Sequence, residues 1–229
     1  MGQLDQKIQD VTSAVISFAN SYTLIKERKQ NEQSESESTS SLTNIISCLK
    51  SLKSQFQNDN KRKELIQTPN LIRSLAVLAC YKHNIHLNEE YNQQTLSIRF
   101  NSRNCLSWIH YYGNALNHAQ LVNIKYAGML VIVISTAGGQ GEEYDNEIND
   151  TLIYIQQFLD NLHLGGNYSP YFSPQHKLAR RSEEQIEEEG GIEEIEAQFV
   201  NNGKVFSGFI KDQVKWTKAA ALNHYIHSS

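Results

Sequence analysis

Cysteine is scarce, and the three present, Cys48, Cys80 and Cys105, are odd in number and widely spaced. That leaves neither a disulfide framework nor the close pairing of a zinc site. Each lies in an apolar helical stretch, so buried, reduced thiols in an intracellular protein are expected. Long apolar runs are also missing. No stretch approaches the roughly 18 residues that a membrane span needs, and the most apolar window, Tyr126 to Ala137, has the length of a core helix. The first residues, Met1-Gly2-Gln3-Leu4-Asp5-Gln6, lack the basic start and apolar run of a secretory signal. Gln6 also stands where a myristoylation site favours Ser or Thr. An excess of positive charge is absent too, with a formal net charge of −4, which argues against a general nucleic-acid binder. The charge is uneven, however: up to Leu116 there are 13 Lys/Arg against 10 Asp/Glu, and beyond it 8 against 15.

Catalytic constellations are lacking as well. No Gly-x-Ser-x-Gly elbow occurs, and Ser135-Thr136 has no neighbouring base. The cluster Ala137-Gly138-Gly139-Gln140-Gly141 carries no Lys-Ser/Thr and follows no clear strand, so it reads as a helix terminator and not a phosphate cradle. His83 and His86 sit three apart near Glu89 and Glu90, but no third metal ligand is implied and a polar loop explains them better. No metal, cofactor or catalytic residue is therefore assigned. His83, His86 and His110 are the residues on which a small α-helical enzyme would have to rely.

What the chain does hold is helical periodicity. Leu4, Ile8, Val11, Val15, Phe18, Tyr22 and Ile25 alternate spacings of four and three, giving one apolar stripe on a helix over residues 1–28. The stripe packs on a following helix or pairs as a coiled coil with another chain. Residues 29–40, rich in Ser, Glu and Gln, read as a polar linker. From Ser41 to the end, 41–229, the stripes recur: Leu42 to Phe56, closed by Asn58-Asp59-Asn60; Leu71 to Ala79 after Thr68-Pro69-Asn70; Thr95 to Tyr112; Tyr126 to Ala137; Ile148 to Leu162; and Gly208 onward. His83 to Gln94 and Asn167 to Arg181 read as loops.

A turn recurs among these helices. With Asn70, Gly128 and Gly190 set as position zero, position −4 reads Ile66, Ile124 and Ile186, position +2 reads Ile72, Leu130 and Ile192, and +5 reads Leu75, Val133 and Ile195. Each copy continues, after a loop, into a long helix containing aromatics. The pattern, clearest at Ile124-Lys125-Tyr126-Ala127-Gly128-Met129-Leu130, resembles the armadillo repeat: a short first helix, a second entered after an Ala-Gly-type turn, and a long third. The resemblance implies an all-α fold, a short right-handed α-solenoid of about three to four repeats with an N-terminal helix, because one helix trio cannot bury its apolar face until a neighbour stacks on it. The copies are longer than the roughly 40 to 47 residues expected of such repeats, so each carries an insertion. The Trp and Asn that the family's nuclear-import adaptors place four residues apart on the third helix are absent, since Trp108 is followed by Tyr112.

The resemblance also places the binding surface on the third helices. Asn104, Trp108, Tyr111 and Tyr112 form one rung, Tyr154, Gln157 and Asn161 the next, and Lys215, Lys218 and Asn223 the last. Amide side chains there bond to the backbone of an extended segment, and aromatics supply packed contact. The function expected is a non-catalytic scaffold or adaptor, a subunit of a larger assembly in the cytoplasm, with a protein partner, no specific nucleic acid and no membrane span. Cytoskeletal or nuclear association is left open. A small transport adaptor and a small helical enzyme are the alternatives.

Overall fold

The computed structural model describes residues 2–28, 39–82, 88–135, 145–166, 171–200 and 207–223. Among them the chain is all-helical, and its one β contact is an isolated bridge between Gly166 and Phe172. In chain order the helices are α1 (Gly2–Arg28), α2 (Thr39–Phe56), α3 (Asp59–Gln67), α4 (Leu71–Ala79), α5 (Glu89–Tyr112), α6 (Ala115–Asn123), α7 (Tyr126–Ser135), α8 (Asp145–Leu164), α9 (His176–Glu188), α10 (Gly191–Ala197) and α11 (Ser207–Asn223). They form two compact units, residues 1–111 and 112–229.

Local chemistry explains several boundaries. Asn58, expected to close α2, also opens α3: its side chain accepts from the backbone N–H groups of Asn60 and Lys61, two donors that a helix start leaves unsatisfied. Helix α5 begins at Glu89, inside the expected loop of residues 83–94. Asn88 Oδ1 accepts from Tyr91 N at 2.9 Å, and Glu89 and Glu90 put negative charge on the first turn, where the helix dipole favours it. Likewise α9 starts at His176, inside the expected loop of residues 167–181. The expected linker falls mostly on residues 29–38, outside the described residues, as do the glycine cluster and His83 and His86; Thr39 and Ser40 are already helical.

The recurring joint is real as local geometry, but its middle copy lies elsewhere. Asn70 and Gly190 both adopt the left-handed conformation at the start of a helix, φ 64° and 65°. The matching residue between α6 and α7 is Lys125, φ 58°. Gly128 is buried inside α7. A Cβ there would lie 3.3 Å from Glu189 Cγ and 3.5 Å from Gln185 O, so Gly128 sits in the packed contact of α7 with the end of α9. Glycine is the usual left-handed residue, which is why the sequence points to Gly128 and passes over Lys125.

Re-registered on Asn70, Lys125 and Gly190, the three joints share more. Position −4 is Ile66, Leu121 and Ile186, +1 is Leu71, Tyr126 and Gly191, and every one of them is buried. At +5, Leu75, Leu130 and Ile195 are 0% exposed. In all three the zero-position carbonyl accepts from the +4 amide: Ser74 N to Asn70 O 2.9 Å, Met129 N to Lys125 O 2.9 Å, and Glu194 N to Gly190 O 3.2 Å. Each joint leads into a long helix, α5, α8 or α11.

Within the second unit the later helices lie on the earlier ones: α9 contacts α6, α7 and α8, α10 contacts α7, and α11 contacts α8. Side-chain donors tie them to buried carbonyls: Gln185 Nε2 to Val122 O 2.9 Å, Gln198 Nε2 to Ile134 O 3.0 Å, and Thr217 Oγ1 to Leu152 O 3.0 Å. Their sequence separations are 63, 64 and 65 residues, and those of Gln213–Gln156 and Arg181–Asn123 are 57 and 58.

In the first unit α1 packs on α2 and α4. In the second unit α7 likewise packs on both α8 and α10. The buried seam of α1 is Ile8, Thr12, Val15 and Ala19, turned slightly from the expected stripe. Val15 is its most deeply buried member, and Thr12 Oγ1 donates to Ile8 O at 2.8 Å. Phe18 and Tyr22 meet Tyr81 at ring distances of 5.8 and 4.7 Å, and the Tyr22 hydroxyl accepts from Lys82 N. Of the cysteines only Cys105 is buried; Cys48 is half-buried and Cys80 is exposed at the end of α4.

Candidate functional site on the long helices

Helix α5 is mostly buried, and one stripe of it is not. Phe100, Asn104 and Trp108 are half-buried and Tyr111 is exposed, at spacings of four, four and three that hold one helical face. The face spans about 16 Å at 1.5 Å per residue. Three of the four residues expected on this helix, Asn104, Trp108 and Tyr111, therefore share it. Tyr112, also half-buried, is the last residue of α5. The neighbouring Ile109 and His110 are 0% exposed, which resolves the dense run from Trp108 to Tyr112 into core and surface members.

Two cations bracket the stripe. Lys53 of α2 holds its Nζ 5.0 Å from the Phe100 ring centroid, and the Arg62 guanidinium of α3 lies 5.1 Å from that of Trp108. Each ring is thereby oriented by a charge over its face. Arg62 is itself fixed, donating to Phe56 O at 2.7 Å and pairing with Asp59 at 2.8 Å. Asn104 uses one amide hydrogen on Phe100 O at 2.9 Å; its side-chain oxygen has no partner among the described residues. Helix α2 lies alongside, with Leu49 O 4.0 Å from Cys105 Sγ, and burial pushes the Cys105 thiol far up. Phe100, Lys53 and Arg62 are the members that sequence reading missed. The spacing Phe100, Asn104, Trp108 was available as a signal; the two cations come from other helices and were not.

In the second unit, every residue of α8 from Glu147 to His163 is buried or half-buried, because α7, α9 and α11 flank it. Tyr154, Gln157 and Asn161 are all half-buried. On α11, Lys215 pairs with Asp212 at 3.2 Å and Lys218 with Glu196 of α10. The Asn223 side chain lies outside the described residues. Trp216, 58% exposed, is a further aromatic on α11 that the expected rung omitted. Gln213 Nε2 donates to Gln156 Oε1 at 2.7 Å, joining α11 to α8.

Behind this face lies an aromatic cluster. His118 stacks on Phe158 at 5.8 Å and meets Phe172 at 4.6 Å, and Tyr126 meets Phe158 edge-on at 5.1 Å. His118 Nδ1 donates to the Asn114 carbonyl at 3.0 Å. Burial lowers the His118 pKa, opposed by that bond. Burial, reinforced by Tyr154, raises that of Tyr126. A second buried contact joins α8 to α9, with His163 Nε2 2.6 Å from Glu183 Oε1.

No grouping of three or more His, Cys, Asp or Glu fit to hold a metal occurs among the described residues. No single helix among them is long and apolar enough to cross a membrane; the bent pair α6 and α7 passes that test only jointly, and α7 is a core helix. No family model, curated protein or solved structure matches the chain.

Proposed function

We propose that the chain is a short armadillo-like α-solenoid that serves as a non-catalytic scaffold or adaptor inside the cell, a cytoplasmic subunit of a larger assembly. The supporting observation is the threefold joint at Asn70, Lys125 and Gly190, each leading into a long helix, together with side-chain bonds that repeat at separations of 63 to 65 residues. Helices stacked in this way leave their long members with one accessible stripe, a surface suited to an extended protein segment. On α5 that stripe carries aromatics and an amide; on α8 and α11 it carries Tyr154, Gln157, Asn161, Lys215 and Lys218. Rings of this kind give packed contact at low entropic cost, and amides pair with a segment's backbone.

Crosslinking and mass spectrometry in native extract tests this. The expected result is partner crosslinks at Lys50 and Lys53, or at Lys215 and Lys218, and few at Lys7 or Lys63. A strict monomer by analytical ultracentrifugation of the extract, with no crosslinked partner, refutes the reading.

A further inference from the structure

Two long helices of the first unit, α2 and α5, are nearly without acidic residues. From Thr39 to Phe56 α2 contains no Asp or Glu, and α5 contains none beyond Glu90. Lys53 of α2 reaches over Phe100 at one end of the stripe Phe100, Asn104, Trp108 and Tyr111, and Lys50, exposed, stands three residues before Lys53 on α2, the spacing of neighbours on a helix surface. Neither Lys50 nor Lys53 has a carboxylate partner among the described residues. The cations on the second unit's last helix differ, since Lys215 and Lys218 are already paired with Asp212 and Glu196.

We infer that the α2–α5 face takes an acidic, extended protein segment, an inference that rests on the scaffold reading and specifies its partner. The segment's carboxylates meet Lys50 and Lys53. Its backbone is read by the Asn104 amide, and its apolar side chains lie on Phe100 and Trp108, whose rings Lys53 and Arg62 hold in place. About five extended residues, at 3.3–3.6 Å each, match the stripe's length. A nucleic acid is a poorer fit, because two accessible ammonium groups neutralise few phosphates. In the helical acidic stretch of α9 and α10, Glu184, Glu188 and Glu196 are already engaged by Arg180, Lys125 and Lys218, which makes that stretch of a second copy a poorer fit.

The test is fluorescence anisotropy with the full chain and a labelled peptide of alternating Glu and Ala, beside a peptide with Lys in place of Glu. The Glu peptide binds and the Lys peptide does not. Raising salt from about 0.05 to 0.5 M weakens binding by about tenfold, as screening predicts. Lys50→Glu with Lys53→Glu weakens it by at least about tenfold, whereas Lys63→Glu with Arg73→Glu, an equal charge change at exposed positions on α3 and α4, has little effect. Trp108→Ala weakens it without changing the salt dependence, and circular dichroism verifies that each variant is folded. Equal binding of the Lys peptide overturns the inference. So does an equal loss in the Lys63/Arg73 control, or no binding of the Glu peptide up to about 1 mM. Tighter, Lys50/Lys53-dependent binding of oligothymidylate makes the face a nucleic-acid site, and self-association abolished by Lys50→Glu/Lys53→Glu makes it a contact between copies; both refute the acidic-segment assignment. If native crosslinks map to Lys50 and Lys53 while the Glu peptide fails, the scaffold reading stands and this one falls.

Discussion

Lys125 carries a backbone conformation that an L side chain adopts at a penalty, with φ at 58°. The left-handed region costs a residue with a Cβ about 1–2 kcal/mol, partly offset in glycine by the greater freedom of its unfolded chain. The Lys125 side chain has a contact of its own, Nζ to Glu188 at 3.2 Å, but both groups are more than half exposed and such pairs contribute little. Lys125→Gly is therefore expected to stabilise the second unit by about 0.5–1 kcal/mol, read as a higher urea midpoint with an unchanged slope. His118 gives a prediction of opposite kind. Its folded pKa lies below the ordinary value of 6.5 because burial disfavours the charged ring. As pH falls below that value the unfolded chain binds a proton that the folded chain refuses, so stability is full above it and declines below it. Urea unfolding at pH 7.5 and pH 5.5 measures the decline, and His118→Phe, which keeps a ring beside Phe158 and Phe172, should flatten it.

At the scale of the element, boundaries follow from a few side chains. Asn88→Ala removes the Oδ1 that accepts from Tyr91 N and should cost about 1 kcal/mol, with hydrogen exchange rising in the first turn of α5 and not at Trp108. That cap was present in the sequence as Asn88-Glu89-Glu90-Tyr91, yet the polarity of residues 83–94 hid it, since a helix start that faces water has the composition of a loop. The apolar stripes of α2, α4, α7 and α8 were legible because a core imposes helical period on whatever packs against it. The joint was legible in kind and misplaced in its middle copy, for two physical reasons. A glycine can lie inside a helix rather than at its turn, as Gly128 does, and a lysine can occupy a left-handed position when the helices on both sides fix it. The site divides similarly. Asn104, Trp108 and Tyr111 were expected from the resemblance and fall on one helical face, whereas Lys53 and Arg62 reach the same stripe only through packing.

For the whole molecule the division into residues 1–111 and 112–229 predicts how damage spreads. Leu130 is 0% exposed at the joint's +5 position, on α7, which packs on α6, α8, α9 and α10. Leu130→Ala should cost about 2–5 kcal/mol, and hydrogen exchange should rise through α6 to α11 while α1 to α4 keep their protection. Uniform loss of protection from α1 to α11 is the outcome that contradicts two units, and protection lost only within α7 contradicts the stacking. Multi-unit unfolding is not two-state, so the exchange pattern is the measurement that decides.

The side-chain bonds that close over 63, 64 and 65 residues also set a clock. A ribosome adds about 5–20 residues per second, so the carbonyls of Val122, Ile134 and Leu152 emerge some 3 to 13 s before Gln185, Gln198 and Thr217 can reach them. Helices form in about a microsecond or less. Over those intervening seconds α7, whose ten residues are too few for a stable isolated helix, and α8 are without the helices α9 to α11 that pack on them. The second unit's core is therefore closed only once its last helices have been made.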